Sequence, residues 1–253
     1  LDGSADGDFG GATKAAVVWF QTQNGETPDG IAGAKTLALL FSDSAPKAEP
    51  TPTPDPNALP ILVNRTHPVD ASYRPADLVL LKDVLPSSLV TVKGSDCEGD
   101  RTAAQALITM FEAAKADGVT GWQISAGYRS VKYQQKLFDR QVAEYQNQGL
   151  SVAKAKSAAS KLVADPGASE HHTGLAFDMT VPNTSMFLST PQCAWLHEHC
   201  WEYGFILRYT DEKQQITGFA GEAWHIRYVG TEHSLAMQQS GQCLEEYLGE
   251  VQQ

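Results

Sequence analysis

Between Pro46 and Pro60 the chain places six prolines in 15 residues, at positions 46, 50, 52, 54, 56 and 60. Proline has no N–H to donate, and its ring clashes with the preceding helical turn. Neither a helix nor a central strand can therefore cross Thr51-Pro52-Thr53-Pro54-Asp55-Pro56. The stretch reads as a semi-rigid polyproline spacer of up to about 45 Å, at roughly 3.1 Å per residue. It divides the 253 residues into a short module, 1–43, a linker, 44–60, and a larger half, 61–253.

Hydrophobic residues make up 42% and charged residues 19% of the chain, an ordinary globular composition. Nineteen Lys+Arg against 30 Asp+Glu give a net charge of −11. With no Lys/Arg cluster, the chain lacks the footprint of a nucleic-acid binder and the polybasic signal for anionic lipid. Its longest obvious apolar run, Ala15–Phe20, is far short of a membrane span. Leu1-Asp2-Gly3-Ser4 shows no signal peptide, so the chain reads as a mature or trimmed fragment, which leaves export open. The four cysteines, Cys97, Cys193, Cys200 and Cys243, permit two disulfides and an oxidising compartment, or four free thiols. They contain no C-x-x-C, which argues against a cysteine zinc site. If 193–200 is helical, Cys193 and Cys200 lie about 10.5 Å apart and cannot bridge each other.

The short module echoes itself. Asp6-Gly7-x-x-Gly10-x-x-Thr13 recurs as Asp29-Gly30-x-x-Gly33-x-x-Thr36, each copy a glycine-permitted loop feeding a helix. Ala16, Val17 and Phe20 form one apolar stripe, and Leu37, Leu40 and Phe41 the other. These residues, with Gln21 beside Phe20, resemble a small three-helix peptidoglycan-binding domain. The resemblance implies attachment to wall glycan or stem peptide.

The larger half alternates helix and strand signals. Ala103, Ala106, Leu107, Met110, Phe111 and Ala114 predict an amphipathic helix over 102–116. Further helices are expected over 131–148, 151–163 and 194–203, with Gly149 and Gly204 as breaks. Strands are expected over 122–126, 175–181, 205–209 and 224–229. Helices followed by close strands argue for an α+β fold: a larger domain with a central antiparallel sheet flanked by helices, preceded by the small all-α module and Pro-rich linker.

Two segments concentrate the chemistry: Ser169-Glu170-His171-His172-Thr173-Gly174-Leu175-Ala176-Phe177-Asp178 and Glu222-Ala223-Trp224-His225. A catalytic divalent metal needs about three protein ligands and one open position. His171, Asp178 and His225 supply two imidazoles and a carboxylate. On a straight strand residues 171 and 178 would lie about 23 Å apart. A turn must fold them together, and Thr173-Gly174 is suitable turn chemistry. Glu222, three residues before His225, reverses face in a regular strand, so a kink near Ala223-Trp224 is needed to bring it beside the metal's water. Trp224 is expected to pack in support of His225.

Beyond these two motifs, Ser125-Ala-Gly-Tyr128-Arg129-Ser130 with Gln134, Tyr203-Gly-Phe-Ile-Leu-Arg208-Tyr209 and Arg227-Tyr-Val-Gly230 carry a wider likeness. From about Leu62 to Leu248 the chain resembles the VanY-type zinc D-alanyl-D-alanine carboxypeptidases, peptidase family M15, subfamily B. The resemblance implies one Zn2+ on His171, Asp178 and His225, Glu222 as general base, and Arg129 stabilising the oxyanion. An exopeptidase also needs a cation for the terminal carboxylate, for which Arg208 is the candidate. Ser169, Gln134 and Tyr128 are further candidate substrate contacts. His172 stands where related sequences often carry Gln and is a competing ligand, although the spacing to Asp178 favours His171. The implied activity is removal of the C-terminal D-alanine from peptidoglycan stem peptides by a secreted or envelope enzyme. Two alternatives stay open: L,D-carboxypeptidase or endopeptidase action at the same site, and a non-catalytic wall-binding protein. Residues 1–43 carry six acidic and two basic side chains, so affinity for an anionic wall would have to come from local cations and the zinc, not net charge.

Overall fold

The structure is a computed structural model that describes residues 17, 20, 21, 24, 26, 27, 30–42, 60–184 and 186–250. The chain divides into two compact units, 1–56 and 57–253. The first glycine-threonine copy and the proline-rich stretch up to Pro56 lie outside the described residues.

In the first unit, the second copy of the repeat is organised by one side chain. Gln21 Oε1 accepts from Gly30 N–H at 2.9 Å, while its Nε2 donates to Ile31 O at 3.0 Å and Thr36 Oγ1 at 3.2 Å. Thr36 Oγ1 in turn donates to Glu26 Oε2 at 2.8 Å. Gly30 sits at φ 71°, a conformation that favours glycine. Helix α1 (Ala34–Leu40) follows. Phe20 is buried, but Leu40 and Phe41, expected as the apolar stripe, are exposed.

The second unit runs β1 (Leu78–Leu80), α2 (Leu81–Val84), β2 (Val90–Val92), β3 (Glu98–Asp100), α3 (Arg101–Ala116), β4 (Trp122–Ala126), α4 (Val131–Asn147) and α5 (Val152–Ala159). It continues through β5 (Ala176–Thr180), α6 (Pro191–His199), β6 (Phe205–Leu207), α7 (Gln214–Thr217), β7 (His225–Tyr228), α8 (Thr231–Ser240) and α9 (Leu244–Tyr247). The main sheet has the order β2-β4-β5-β7-β6. It is antiparallel except at its β2–β4 edge, where β3 and α3 provide the crossover that a parallel pair requires. β1 and β3 form a separate two-stranded ribbon.

The predicted elements appear, several with shifted ends: β4 keeps its expected bounds, and the helix expected over 194–203 begins at Pro191 and ends at His199. α3 starts at Arg101 because Asp100 caps it, accepting from Thr102 N and Ala103 N. Its Ala103, Leu107, Met110, Phe111 and Ala114 pack against Trp122 and Ile124 of β4, Phe177 and Met179 of β5, and Ile226 of β7. Alternation along β5 thus buries Phe177 and Met179 on the helix side and turns Asp178 to the other face. α4 and α5 make a smaller cluster, with Phe138 and Val142 against Ala155 and Ala159.

The cysteines form no disulfide; all four are free thiols. Cys193 and Cys200 are buried in the main core as small apolar groups. Cys243 caps α9 together with Glu246. No helix among the described residues is long and apolar enough to cross a membrane.

The turn entering β5 depends on Gly174, at φ 71°. A Cβ there would meet Leu78 Cδ2 at 2.5 Å and Asp100 N at 3.2 Å. Gly174→Ala is expected to lose about 2–4 kcal/mol in urea unfolding, from left-handed strain plus overpacking.

Candidate metal centre

The cluster is assembled from two strands and a turn. Asp178 of β5 is the direct cross-strand partner of His225, the first residue of β7. Sheet register alone sets these two side by side. His171 belongs to the 3-10 turn Glu170–Thr173 just before β5, and Gly174 reverses the chain so that His171 returns over Asp178. His171 Nε2 lies 3.3 Å and His225 Nδ1 3.1 Å from Asp178 Oδ1. One ligand atom from each residue falls within 4.8 Å of the others.

The remaining imidazole nitrogens are already committed. His171 Nδ1 donates to Gly127 O at 2.7 Å, which leaves Nε2 as the free lone pair. Residue 127 is a glycine because a Cβ there would collide with the Glu98 carbonyl oxygen. His225 Nε2 faces Glu170 Oε2 at 3.4 Å, which leaves Nδ1 toward Asp178. Two imidazoles, one carboxylate and an adjoining cavity of about 270 Å³ make a donor set with an open side, the arrangement zinc adopts in catalytic sites.

Electrostatics agrees with this fit. Burial, reinforced by Arg129, lowers the His171 pKa to about 4, so this ring is neutral and free to ligate. Burial opposes charge on His225, but hydrogen bonds to Asp178 and Glu170 outweigh it and raise its pKa to about 9. Surroundings that attract a proton this strongly also attract a divalent cation. Burial, with Asp178 adding to it, raises the Glu222 carboxyl above its ordinary value.

Glu222 reaches the cluster through a turn at Ala223-Trp224, closed by His225 N–H to Glu222 O at 3.1 Å. Its Oε2 stands 3.7 Å from His225 Nδ1. Arg129 Nη2 donates to Asp178 Oδ2 at 2.8 Å, and its backbone N–H is held by His171 O at 3.0 Å. Arg129, Gln134, Ser169, Glu222 and the three cluster residues all line the same cavity. Gln134 is anchored through Nε2 to Ala164 O at 2.8 Å, and its Oε1 has no partner among the described residues. That leaves an acceptor, suited to a substrate N–H and not to a carboxylate.

Three expectations need correction. Arg208 does not line the cavity: it is 1% exposed, with Nε on Glu170 Oε1 and Nη2 on Glu245 Oε1, both at 2.7 Å. Both useful ends of its guanidinium are spent internally. Tyr128 also lies outside the cavity lining, its ring beneath the Arg74 guanidinium at 5.0 Å. Trp224 is not packing support but stands 42% exposed at the rim. His172, the competing ligand, has both nitrogens occupied, with Nδ1 donating to Arg129 O at 2.6 Å and Nε2 accepting from Gly167 N–H at 3.1 Å. Residue-level reading missed Glu170 and Tyr209. The Tyr209 ring lies 4.9 Å from that of His225. The clue to Glu170 was two arginines, 208 and 227, inside apolar strand sequence, since a buried arginine demands a buried acid.

Comparison with known proteins places these features in context. A family profile described as VanY, D-alanyl-D-alanine carboxypeptidase, matches residues 98–231, and one described as a putative peptidoglycan binding domain matches 1–40. A D-alanyl-D-alanine carboxypeptidase of Enterococcus faecalis is 40% identical over 190 residues, 74% of this chain and 65% of the relative. The chain thus spans just under two thirds of that protein's length. A solved structure of the vancomycin resistance D,D-pentapeptidase VanY in complex with Zn(II) is 39% identical, with a TM-score of 0.61, covering 74% of this chain and 97% of that one. A structure of VanYB in complex with D-alanine-D-alanine is also 39% identical, with a TM-score of 0.62, covering 75% and 96%.

His172→Ala would leave Gly167 N–H and Arg129 C=O without their partner, and about 1–3 kcal/mol of stability is expected to be lost in chemical unfolding. His172→Gln offers one donor and one acceptor and is expected to recover most of it.

Proposed function

The chain belongs to the VanY D-alanyl-D-alanine carboxypeptidase family, and from that premise we propose that it is a zinc carboxypeptidase releasing the C-terminal D-alanine from peptidoglycan stem peptides. The observation that carries this reading is the convergence of His171, Asp178 and His225 with Glu222 at their side, in one cavity. The Zn(II) in the VanY structure and the D-alanine-D-alanine in the VanYB structure support the same metal and substrate class here.

His171 Nε2, Asp178 Oδ1 and His225 Nδ1 would hold the zinc. When bound, zinc supplies Lewis acidity that lowers the pKa of a coordinated water and polarises a carbonyl. Glu222 takes a proton from the attacking water onto its carboxylate and passes it to the leaving amine. Its raised proton affinity suits it to both halves of that transfer. Arg129 directs N–H donors at the negative charge that develops on the scissile carbonyl oxygen. Gln134 Oε1 accepts a substrate N–H, and Ser169 contributes a hydroxyl from the cavity wall. Arg129 and Arg140 are the guanidiniums among the cavity-lining residues, so a terminal carboxylate meets one of these and not Arg208.

The match of residues 1–40 to a peptidoglycan-binding profile supports action at the cell envelope or outside the cell. Residues 1–43 serve as a wall-attachment module, 44–60 as the spacer and 61–253 as the catalytic domain. Wall glycan and stem peptide are then the partners.

Incubation of the zinc-loaded protein with a stem pentapeptide, followed by mass analysis, is expected to show release of a single alanine. Glu222→Gln is expected to slow that release by about 10²–10⁴-fold while zinc stays bound. No alanine from the zinc-loaded protein, or full activity in Glu222→Gln, would overturn the reading. Chelation should abolish release, and added Zn2+ should restore it.

A further inference from the structure

Behind the metal-ligand cluster lies a charged network that the proposed hydrolysis does not use. Glu170 is buried at 1% exposure. Its Oε1 accepts from Arg208 Nε at 2.7 Å and lies 3.2 Å from Arg227 Nη1. Its Oε2 faces His225 Nε2 at 3.4 Å. Arg208 continues to Glu245 Oε1 on α9, and Asn64 Nδ2 donates to the same oxygen at 3.3 Å. Arg227 Nη2 donates to Ile61 O at 2.7 Å.

Two carboxylates and two guanidiniums are thus enclosed in the core, where apolar residues would pack with less desolvation. Packing alone does not account for them. Among the side chains of this network only that of Glu170 reaches the side chain of a member of the metal-ligand cluster, and it does so at the nitrogen that faces away from Asp178. An imidazole whose far nitrogen is fixed by a carboxylate has its tautomer and ring orientation fixed for ligation. Without its two arginines Glu170 would be an unpaired buried charge, and the loop carrying it would have no reason to stay closed over His225.

We propose that Glu170 is a positioning residue for the metal: its Oε2 holds His225 Nε2–H and so aims His225 Nδ1 at the point shared with His171 and Asp178, while Arg208 and Arg227 hold the carboxylate in place. This rests on the zinc reading of the cluster. Glu245 has the opposite standing. It balances Arg208 but makes no contact with His225, so it serves stability alone.

The test compares Glu170→Gln with Glu245→Gln in the full chain. Zinc affinity is read by competition with a chromophoric chelator, and stability by thermal unfolding of the metal-free protein. Both variants are expected to melt lower than wild type, since each unbalances the same network. Only Glu170→Gln is expected to bind zinc more weakly, by about 10–100-fold, with Glu245→Gln within about threefold of wild type. Wild-type zinc affinity in Glu170→Gln would overturn the proposal. An equal loss in Glu245→Gln would also overturn it, because the effect would then track stability. Should Glu170→Gln not fold, Glu170→Gln paired with Arg227→Met again balances one arginine against Glu245. That pair is expected to show the same loss, and wild-type zinc affinity in it would overturn the proposal. Failure of the wild-type chain to bind zinc at all would instead sink the function reading on which this one rests.

Discussion

The pairing of Asp178 with His225 across β5 and β7 is the constraint on which the site depends. It is set by backbone hydrogen bonds between two central strands, not by side-chain choice. Phe177 and Met179 fix which face Asp178 presents, because a slip of one residue would drive the carboxylate into the α3 core. The hydrophobic packing of the sheet and the placement of the ligands are therefore one event. His171 and Glu222 are added to this pair by short turns at either strand's entrance, closed by Gly174 and by Ala223-Trp224.

Charge is the second organising term. Asp178, Glu170 and Glu222 surround His225, and this negative surplus is tolerable in a buried place only with compensating cations. Arg129 neutralises Asp178 from the cavity side, while Arg208 and Arg227 neutralise Glu170 from the core side. A divalent cation held by His171, Asp178 and His225 would complete the balance. These three arginines thus separate by position: Arg129 pairs with Asp178 from the cavity wall, whereas Arg208 and Arg227 are enclosed in the core.

What was legible in the sequence was local. The seven-residue gap from His171 to Asp178 demanded a turn, and Thr173-Gly174 provides it. The three-residue gap from Glu222 to His225 demanded a kink, and one is there. α3 and β4 follow from periodicity because their burial is decided by their own side chains. What was not legible depended on distant partners. Arg208 looked like a free cation because its acids, Glu170 and Glu245, lie 38 and 37 residues away. The parallel β2–β4 edge is a matter of chain routing that residue pattern does not encode. The cysteines permitted bridges by number, but Cys193 and Cys200 are consumed by core packing. Family resemblance supplied roles for Arg129 and Glu222; the fold supplied the reason that these side chains can act together.

The proposed metal site consists of His171, Asp178 and His225 and excludes their neighbours Glu222 and His172. Diffraction from crystals grown with Zn2+, recorded on both sides of the zinc absorption edge, tests this directly. One anomalous peak is expected in the unit 57–253, bonded to His171 Nε2, Asp178 Oδ1 and His225 Nδ1, with Glu222 and His172 outside bonding distance. A peak ligated by Glu222 or His172, or no peak among these three residues at saturating zinc, would contradict it.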